Sequence, residues 1–343
     1  MRKLIPLALV LFVIFTGCSK KPLLTIYTWD EMFPPEVLES FSKETGIRIN
    51  YVNFDTNETM LARLQAANRG GYDLVIADDY IIETVIAEGL AQKLDKSKIA
   101  NFRNINGIYQ NQFYDPANEY TVPYGAGVQT IVYDPRQVTH EIRGYSDLWH
   151  PSLAGQVGII ENFRVINGMA LKVLGESYNT NDLSKIRAAG DLLRSLAPNI
   201  RLIRDDNLHD ELLSGEVAAA VMYTSEVTMA KMENPDLEVV FPLEGIGFGI
   251  MAAFIPNKAP NPDAAHAFLN YILDAENGAR CFEYLGYYST NAASDPLIAP
   301  EFLEFLTLPE GFNVDMEMIG NVSPEAEEIH SLVWTMFKMA TGQ

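Results

Sequence analysis

The chain has 343 residues, 48% of them hydrophobic, with 45 Asp and Glu against 25 Lys and Arg. A formal charge of −20 makes nucleic acid and anionic lipid poor partners and favours a cationic ligand. The only cysteines, Cys18 and Cys281, exclude a disulfide framework and any CxxC metal or redox motif.

Arg2 and Lys3 precede an apolar run over 4–15, which is too short to span a bilayer. Gly17, Cys18 and the polar Ser19-Lys20-Lys21 follow, the pattern of a secretory signal. The ending Phe15-Thr16-Gly17-Cys18 resembles a bacterial lipobox. That resemblance implies removal of 1–17, lipidation of Cys18 and a short tether over 18–22. No later apolar run is long enough to cross a membrane, so the mature chain is expected to touch it through the lipid alone.

The remainder alternates strand and helix, which predicts an α/β architecture with parallel sheets. Strands are expected over 23–28, 47–53 and 72–77, with helices over 35–45, 57–68 and 80–88. Asn57 is a plausible cap for the second helix. The run 120–133 is extended, apolar and broken by Pro123, Gly125 and Gly127, and reads as a strand crossing between two lobes. A second series follows: strands at 157–160 and 217–222, and helices at 165–174, 183–196 and 224–232, the last capped by Thr224 or Ser225. Residues 246–256 read as the crossing back, and 264–273 and 276–285 as helices returning to the first lobe. A terminal helix over 323–339 opens on Ser323-Pro324-Glu325, with Ile329, Leu332, Val333 and Phe337 on its expected buried face.

The chemistry sits at the expected strand exits, where open α/β sheets place their ligands. Trp29, Asp30 and Glu31 follow the first strand, and Asp78, Asp79 and Tyr80 the third. Glu161 and Asn162 follow 157–160, while Tyr223 and Glu226 follow 217–222. Aromatic faces beside carboxylates suit a small organic cation. Each residue also has a plain structural role open to it: Trp29 can cover the core, Asp78 or Asp79 can cap a helix, and Glu226 can answer a helix dipole. Catalytic templates are absent, with no HExxH, GxSxG, GxxxxGK[ST] or strand-borne GxGxxG, and the five His show no metal-ligand spacing. No enzyme activity, cofactor or metal is expected. A ferric site is disfavoured as well, because the one Tyr-Tyr dyad, Tyr287-Tyr288, reads as following a first-lobe helix.

Several segments resemble the spermidine/putrescine-binding receptors of bacterial ABC transporters. They are Tyr27-Thr28-Trp29, Phe41-Ser42-Lys43-Glu44-Thr45-Gly46, Asn57-Glu58-Thr59-Met60, Tyr72-Asp73-Leu74-Val75 and Leu94-Asp95-Lys96-Ser97-Lys98, in the same order. The resemblance implies a two-lobed periplasmic binding-protein fold, type II-like, with the ligand cleft between lobes joined by crossing strands. It implies a polyamine held by aromatic walls along its methylenes and carboxylates at its ammonium ends, an inner-membrane ABC permease as partner, and a monomer on the periplasmic side of the membrane. Carried over by position, Trp29 and Tyr80 fall on wall aromatics, Glu31 on an acid, Tyr223 on a Trp, and Glu226 on an Asp of the putrescine type. Tyr124 and Phe248 complete the expected ligand set with Asp30, Asp78, Glu161 and Asn162. The departures lie at Met32 for a Tyr, Asp78 for a Ser, Asn162 and Met251 for Asp, Gly249 for an aromatic, and Val165 for an acid. Lobe boundaries are expected at 23–128 plus 250–302, and 129–249 plus 303–343. The alternatives are another solute on the same fold (a thiamine-like cation, an amino acid or a sugar) and a surface lipoprotein with an interaction role.

Overall fold

A computed structural model describes residues 22–66, 70–204, 207–306 and 314–343. Cys18 lies outside them. Three β/α steps open the described residues: β1 (Leu23–Thr28), α1 (Pro35–Thr45), β2 (Arg48–Asn53), α2 (Asn57–Ala66), β3 (Leu74–Asp78) and α3 (Asp79–Ala87). The long β4 (Thr121–Tyr133) follows. A second series comprises β5 (Val157–Ile160), α4 (Phe163–Val173), α5 (Leu183–Leu196), β6 (Ile200–Arg204), α6 (Leu208–Leu213), β7 (Ala219–Tyr223), α7 (Thr224–Glu233) and β8 (Glu238–Val240). The chain closes with β9 (Ile246–Phe254), α8 (Pro262–Ile272), α9 (Ala275–Leu285), β10 (Tyr288–Ser289), α10 (Pro300–Leu306), β11 (Met316–Met318) and α11 (Pro324–Thr341).

The strand order is β2-β1-β3-β9-β4-β7-β5-β6, with β10 and β8 on β4 and β11 on β9. The β/α units pair in parallel, as crossover helices require, and β11 runs parallel to β9, but β9 is antiparallel to β3 and β4, and β4 to β7. The sheets are therefore mixed rather than purely parallel. β4 is shared: Thr121 to Val128 pair with β9, whereas Gln129 to Tyr133 pair with β7. One apolar core lies on the second side of that division, built from β5, β7, α4, α5 and α11. Two more cover the opposite faces of the first sheet, around Leu24, Phe41 and Phe268 on one side and Tyr27, Val75 and Phe254 on the other. The molecule is thus a two-lobed α/β fold.

Local signals explain most boundaries. Pro35 and Pro324 open α1 and α11, the latter capped by the Ser323 hydroxyl, which accepts from Ala326 N–H. Gly46 ends α1 in the left-handed region that glycine adopts freely. Three expectations need correction. Leu332 is 45% exposed, because it falls outside the Ile329-Val333-Phe337 stripe that meets α4 and α5. Asn57 is not the cap of α2; the Thr56 hydroxyl accepts the Thr59 N–H instead. Thr224 does not cap α7 either, since its hydroxyl bridges to both N–H and carbonyl of Val128 on β4.

Candidate ligand cleft

Strand register brings the exits of the two lobes together on β4. Asp78, the last residue of β3, pairs with Met251 of β9, which pairs in turn with Gly125 of β4. Tyr223, the last residue of β7, pairs with Gln129 of β4. The exits thus face each other along β4 from Gly125 to Gln129, about 13 Å at ordinary strand rise. Between them, Tyr287 packs on β4 at Gly127: a Cβ there would lie 2.7 Å from the Tyr287 ring. Tyr287 belongs to the turn after α9 on the first-lobe side, yet its hydroxyl bonds Ser225 in the first turn of α7. Burial raises that phenol to about 12 against the Ser225 bond, and the Asp78 and Glu226 carboxylates push the same way. One phenol therefore senses an acid from each exit.

On the first-lobe side, Asp78 Oδ2 accepts from Asn57 Nδ2 at 2.8 Å, and Tyr80 Oη accepts from the same nitrogen at 3.0 Å. Tyr80 donates onward to Glu58 Oε1 at 3.1 Å. Asp79 turns inward, accepting Tyr80 N–H at 2.7 Å and Ile250 N–H at 2.9 Å, which extends the β3–β9 ladder with a side chain. Burial raises Asp78 to about 6, opposed by the Asn57 bond, and raises Asp79 to about 8, aided by Asp78. The half-buried Trp29 ring tilts against Phe54, 4.8 Å between centroids, and the Trp29 carbonyl is held by the Tyr51 hydroxyl at 2.9 Å. Asp30 and Glu31 are exposed, and Glu31 sits at a φ of 52°.

On the second-lobe side, Asn162 caps α4 with its Oδ1 and donates from Nδ2 to Tyr223 Oη at 2.9 Å. Glu226 accepts His209 N–H at 2.9 Å, with the His209 ring 3.5 Å away. The Glu226 bond raises the His209 pKa despite burial. Arg164, in the first turn of α4, is held by Glu327 and by the carbonyls of Tyr178 and Gly320. Asn321, just before α11, reaches back to the Tyr80 carbonyl at 3.2 Å and Glu83 at 3.1 Å, a second bond between the lobes.

Not every expected residue joins this group. Tyr124 is 2% exposed, with its hydroxyl donating to the Met32 carbonyl at 2.7 Å and its ring among Phe33 and Phe282, so it belongs to the core. Glu161 turns to Lys338 of α11 at 2.8 Å. Phe248 is half-buried, stacked near Tyr109 at 6.3 Å and level with Val128 of β4. Tyr287, Ser225, Asn57 and Asn321 were not singled out from the sequence as ligand-site residues. Tyr287 in particular follows a helix as the sequence reads, and the turn after α9 also brings it over Gly127 between the exits. Two surface depressions, about 320 Å³ by Pro22, Ile47 and Pro262 and about 20 Å³ by Gly71 and Pro256, lie at the opposite, amino ends of the parallel strands. Neither contains these acids or aromatics.

Residues 36–304 match the family model described as bacterial extracellular solute-binding protein. The chain belongs to this family. The solute-binding protein is 36% identical over 299 residues to the spermidine/putrescine-binding periplasmic protein of Salmonella typhimurium, covering 86% of this chain and 85% of that one. Its fold is that of the spermidine/putrescine ABC transporter substrate-binding protein of Streptococcus pneumoniae, with a TM-score of 0.84 at 30% identity over 93% of this chain and 99% of that one. A putative spermidine/putrescine ABC transporter protein of Listeria monocytogenes gives the same TM-score and identity, covering 92% and 99%. Among the described residues of the solute-binding protein, no helix is long and apolar enough to cross a membrane, and no cluster of three or more His, Cys, Asp or Glu could hold a metal ion.

Proposed function

We propose that this solute-binding protein is the receptor of an ABC importer and captures a linear polyamine, putrescine or spermidine, between its lobes. The observation that carries the reading is the meeting of acids and aromatics from both lobes on residues 125–129 of β4, with Tyr287 between them. A polyammonium chain needs acceptors at its ends, because each ammonium brings three donors and no acceptor. Asp78 and Glu226 are the end carboxylates in this reading. Trp29, Tyr80, Tyr223 and Tyr287 are the walls, each ring face contributing about 0.5–2 kcal/mol per cation contact. Glu31 and Asp30 lie at the rim, and Asn162 sets the Tyr223 hydroxyl. The likeness to polyamine-binding relatives supports the same ligand class.

The lobes divide between 128 and 129, where β4 changes partner, and close as hinged bodies on the ligand. Closure removes water from the charges and presents a joined surface to the permease; the receptor does no chemistry on its cargo. Lipidated Cys18 holds the chain at the membrane. The test is a fluorescence titration with putrescine and spermidine. A saturable change that is lost in Trp29→Phe is expected, and no change in the native chain would contradict the reading.

A further inference from the structure

Asn57 opens α2 without capping it, since Thr56 performs that role. Its side chain is free for another task, and it is 6% exposed. The amide is fully committed: Nδ2 donates to the Asp78 carboxylate at 2.8 Å and the Tyr80 hydroxyl at 3.0 Å, while Oδ1 faces the Asp78 backbone N–H at 3.4 Å. A flipped amide would turn its oxygen against the carboxylate, so the network sets one orientation. Because Tyr80 Oη accepts from Asn57, its own proton points to Glu58. Asp78 itself occupies the cap position of α3 but makes no capping bond with its side chain, so the carboxylate answers to Asn57 instead.

The groups around Asp78 oppose its charge. Glu58 faces it from α2, Asp79 and Tyr80 from α3, and Tyr287 from the turn after α9, while β9 contributes the apolar Met251 opposite. Arg164 of α4 acts on Tyr80, but among the described residues no cationic side chain is among the groups acting on Asp78 itself. Burial favours the protonated acid, and the Asn57 amide is the group that counters it.

We propose that Asn57 is a positioning residue of the ligand site: its amide keeps Asp78 ionised and aimed, with Tyr80 beside it, so that the cleft offers an anionic acceptor to an ammonium at neutral pH. This rests on the polyamine reading for its ligand and on the hydrogen-bond network for its mechanism. A neutral Asp78 could still accept a hydrogen bond, but it would lose the charge-assisted part of the contact.

The experiment compares the native chain with Asn57→Leu, which keeps the volume and removes both donors. Carboxyl-carbon NMR of aspartate-labelled protein without ligand should show the Asp78 midpoint raised by about one pH unit or more. An unmoved midpoint overturns the proposal. Putrescine affinity is then measured between about pH 5.5 and 8.5; the loss in the variant should be largest at the acidic end and shrink as Asp78 ionises. A loss equal at every pH would assign Asn57 to packing alone and overturn the proposal. If the native chain binds no polyamine, the polyamine reading fails, while the ligand-free titration still decides whether Asn57 governs Asp78. Should Asn57→Leu fail to fold, Asn57→Gln displaces the same amide by one methylene, and the same two outcomes decide.

Discussion

Asp78 and Met251 stand directly opposite each other in the antiparallel ladder of β3 and β9. The sequence resemblance expects a small polar residue at 78 and an acid at 251, so this chain holds its carboxylate on the other side of one rung. Paired residues lie only about 5 Å apart at Cα, so the negative charge stays in the same part of the cleft. Asp78→Ser should weaken putrescine binding by about tenfold or more, as expected for loss of a charge-assisted contact. Asp78→Ser with Met251→Asp should recover part of it. Calorimetric affinities of the two variants check this, and no recovery would mean that position 251 does not reach the ligand.

In the proposed site, Trp29 and Glu226 approach the ligand from different lobes. Trp29→Ala removes a ring face, and Glu226→Gln removes a charge while keeping an acceptor. Each is expected to weaken polyamine binding by about tenfold or more. Unchanged affinity in both variants would place the site elsewhere.

Gly127 is glycine because the Tyr287 ring rests on it, leaving 2.7 Å for a Cβ. Gly127→Ala must displace the ring and disturb its bond to Ser225 across the lobes. The expected result is weaker ligand binding with a modest stability loss, about 1–3 kcal/mol as for overpacking elsewhere. Binding and thermal melts on one preparation separate the two effects. The neighbouring Gly125→Ala meets the flexible Met251 side chain at 2.9 Å and should be milder in binding.

His330 is fully buried between α11 and α4, and the Asn167 amide contacts both its ring and its carbonyl. Burial, with Arg164 nearby, lowers its pKa from 6.5 to about 4. The folded state therefore binds fewer protons than the unfolded one between those values. Stability from this group is complete above the unfolded pKa and falls as pH drops toward the folded one, by about 3 kcal/mol in all. Asp79 acts in the opposite sense, because its raised pKa gives a stability contribution that is lost as pH rises toward about 8. The informative quantity is the difference between native protein and His330→Gln in denaturant melts from acidic to neutral pH. The native chain should lose stability more steeply on acidification, and parallel curves would contradict the assignment.

The βα order, the crossing role of β4 and the buried stripe of α11 were legible because apolar periodicity and Gly or Pro boundaries mark them directly. β6 and α6 were not anticipated: Arg201 and Arg204 lie on an exposed edge strand, which weakens its apolar pattern. Trp29, Asp78, Tyr80, Tyr223 and Glu226 stand out as candidates in the sequence because each ends a strand or comes shortly after one. Tyr287 could not, because it reaches β4 only through the turn that Gly286 makes after α9, with a φ of 72°. Asn57 looked like a cap because caps and buried hydrogen-bond donors draw on the same residue type. Tyr124 stood in the expected ligand set, but an aromatic on a Gly-rich crossing strand has two faces to choose from, and packing assigns it to the core.

The most direct test is calorimetric titration of residues 19–343, the chain beyond Cys18, with putrescine and with spermidine. Saturable binding at one site per chain is expected, weakened by added salt because the contacts are charge-assisted. No heat with any polyamine at millimolar concentration would contradict a polyamine receptor.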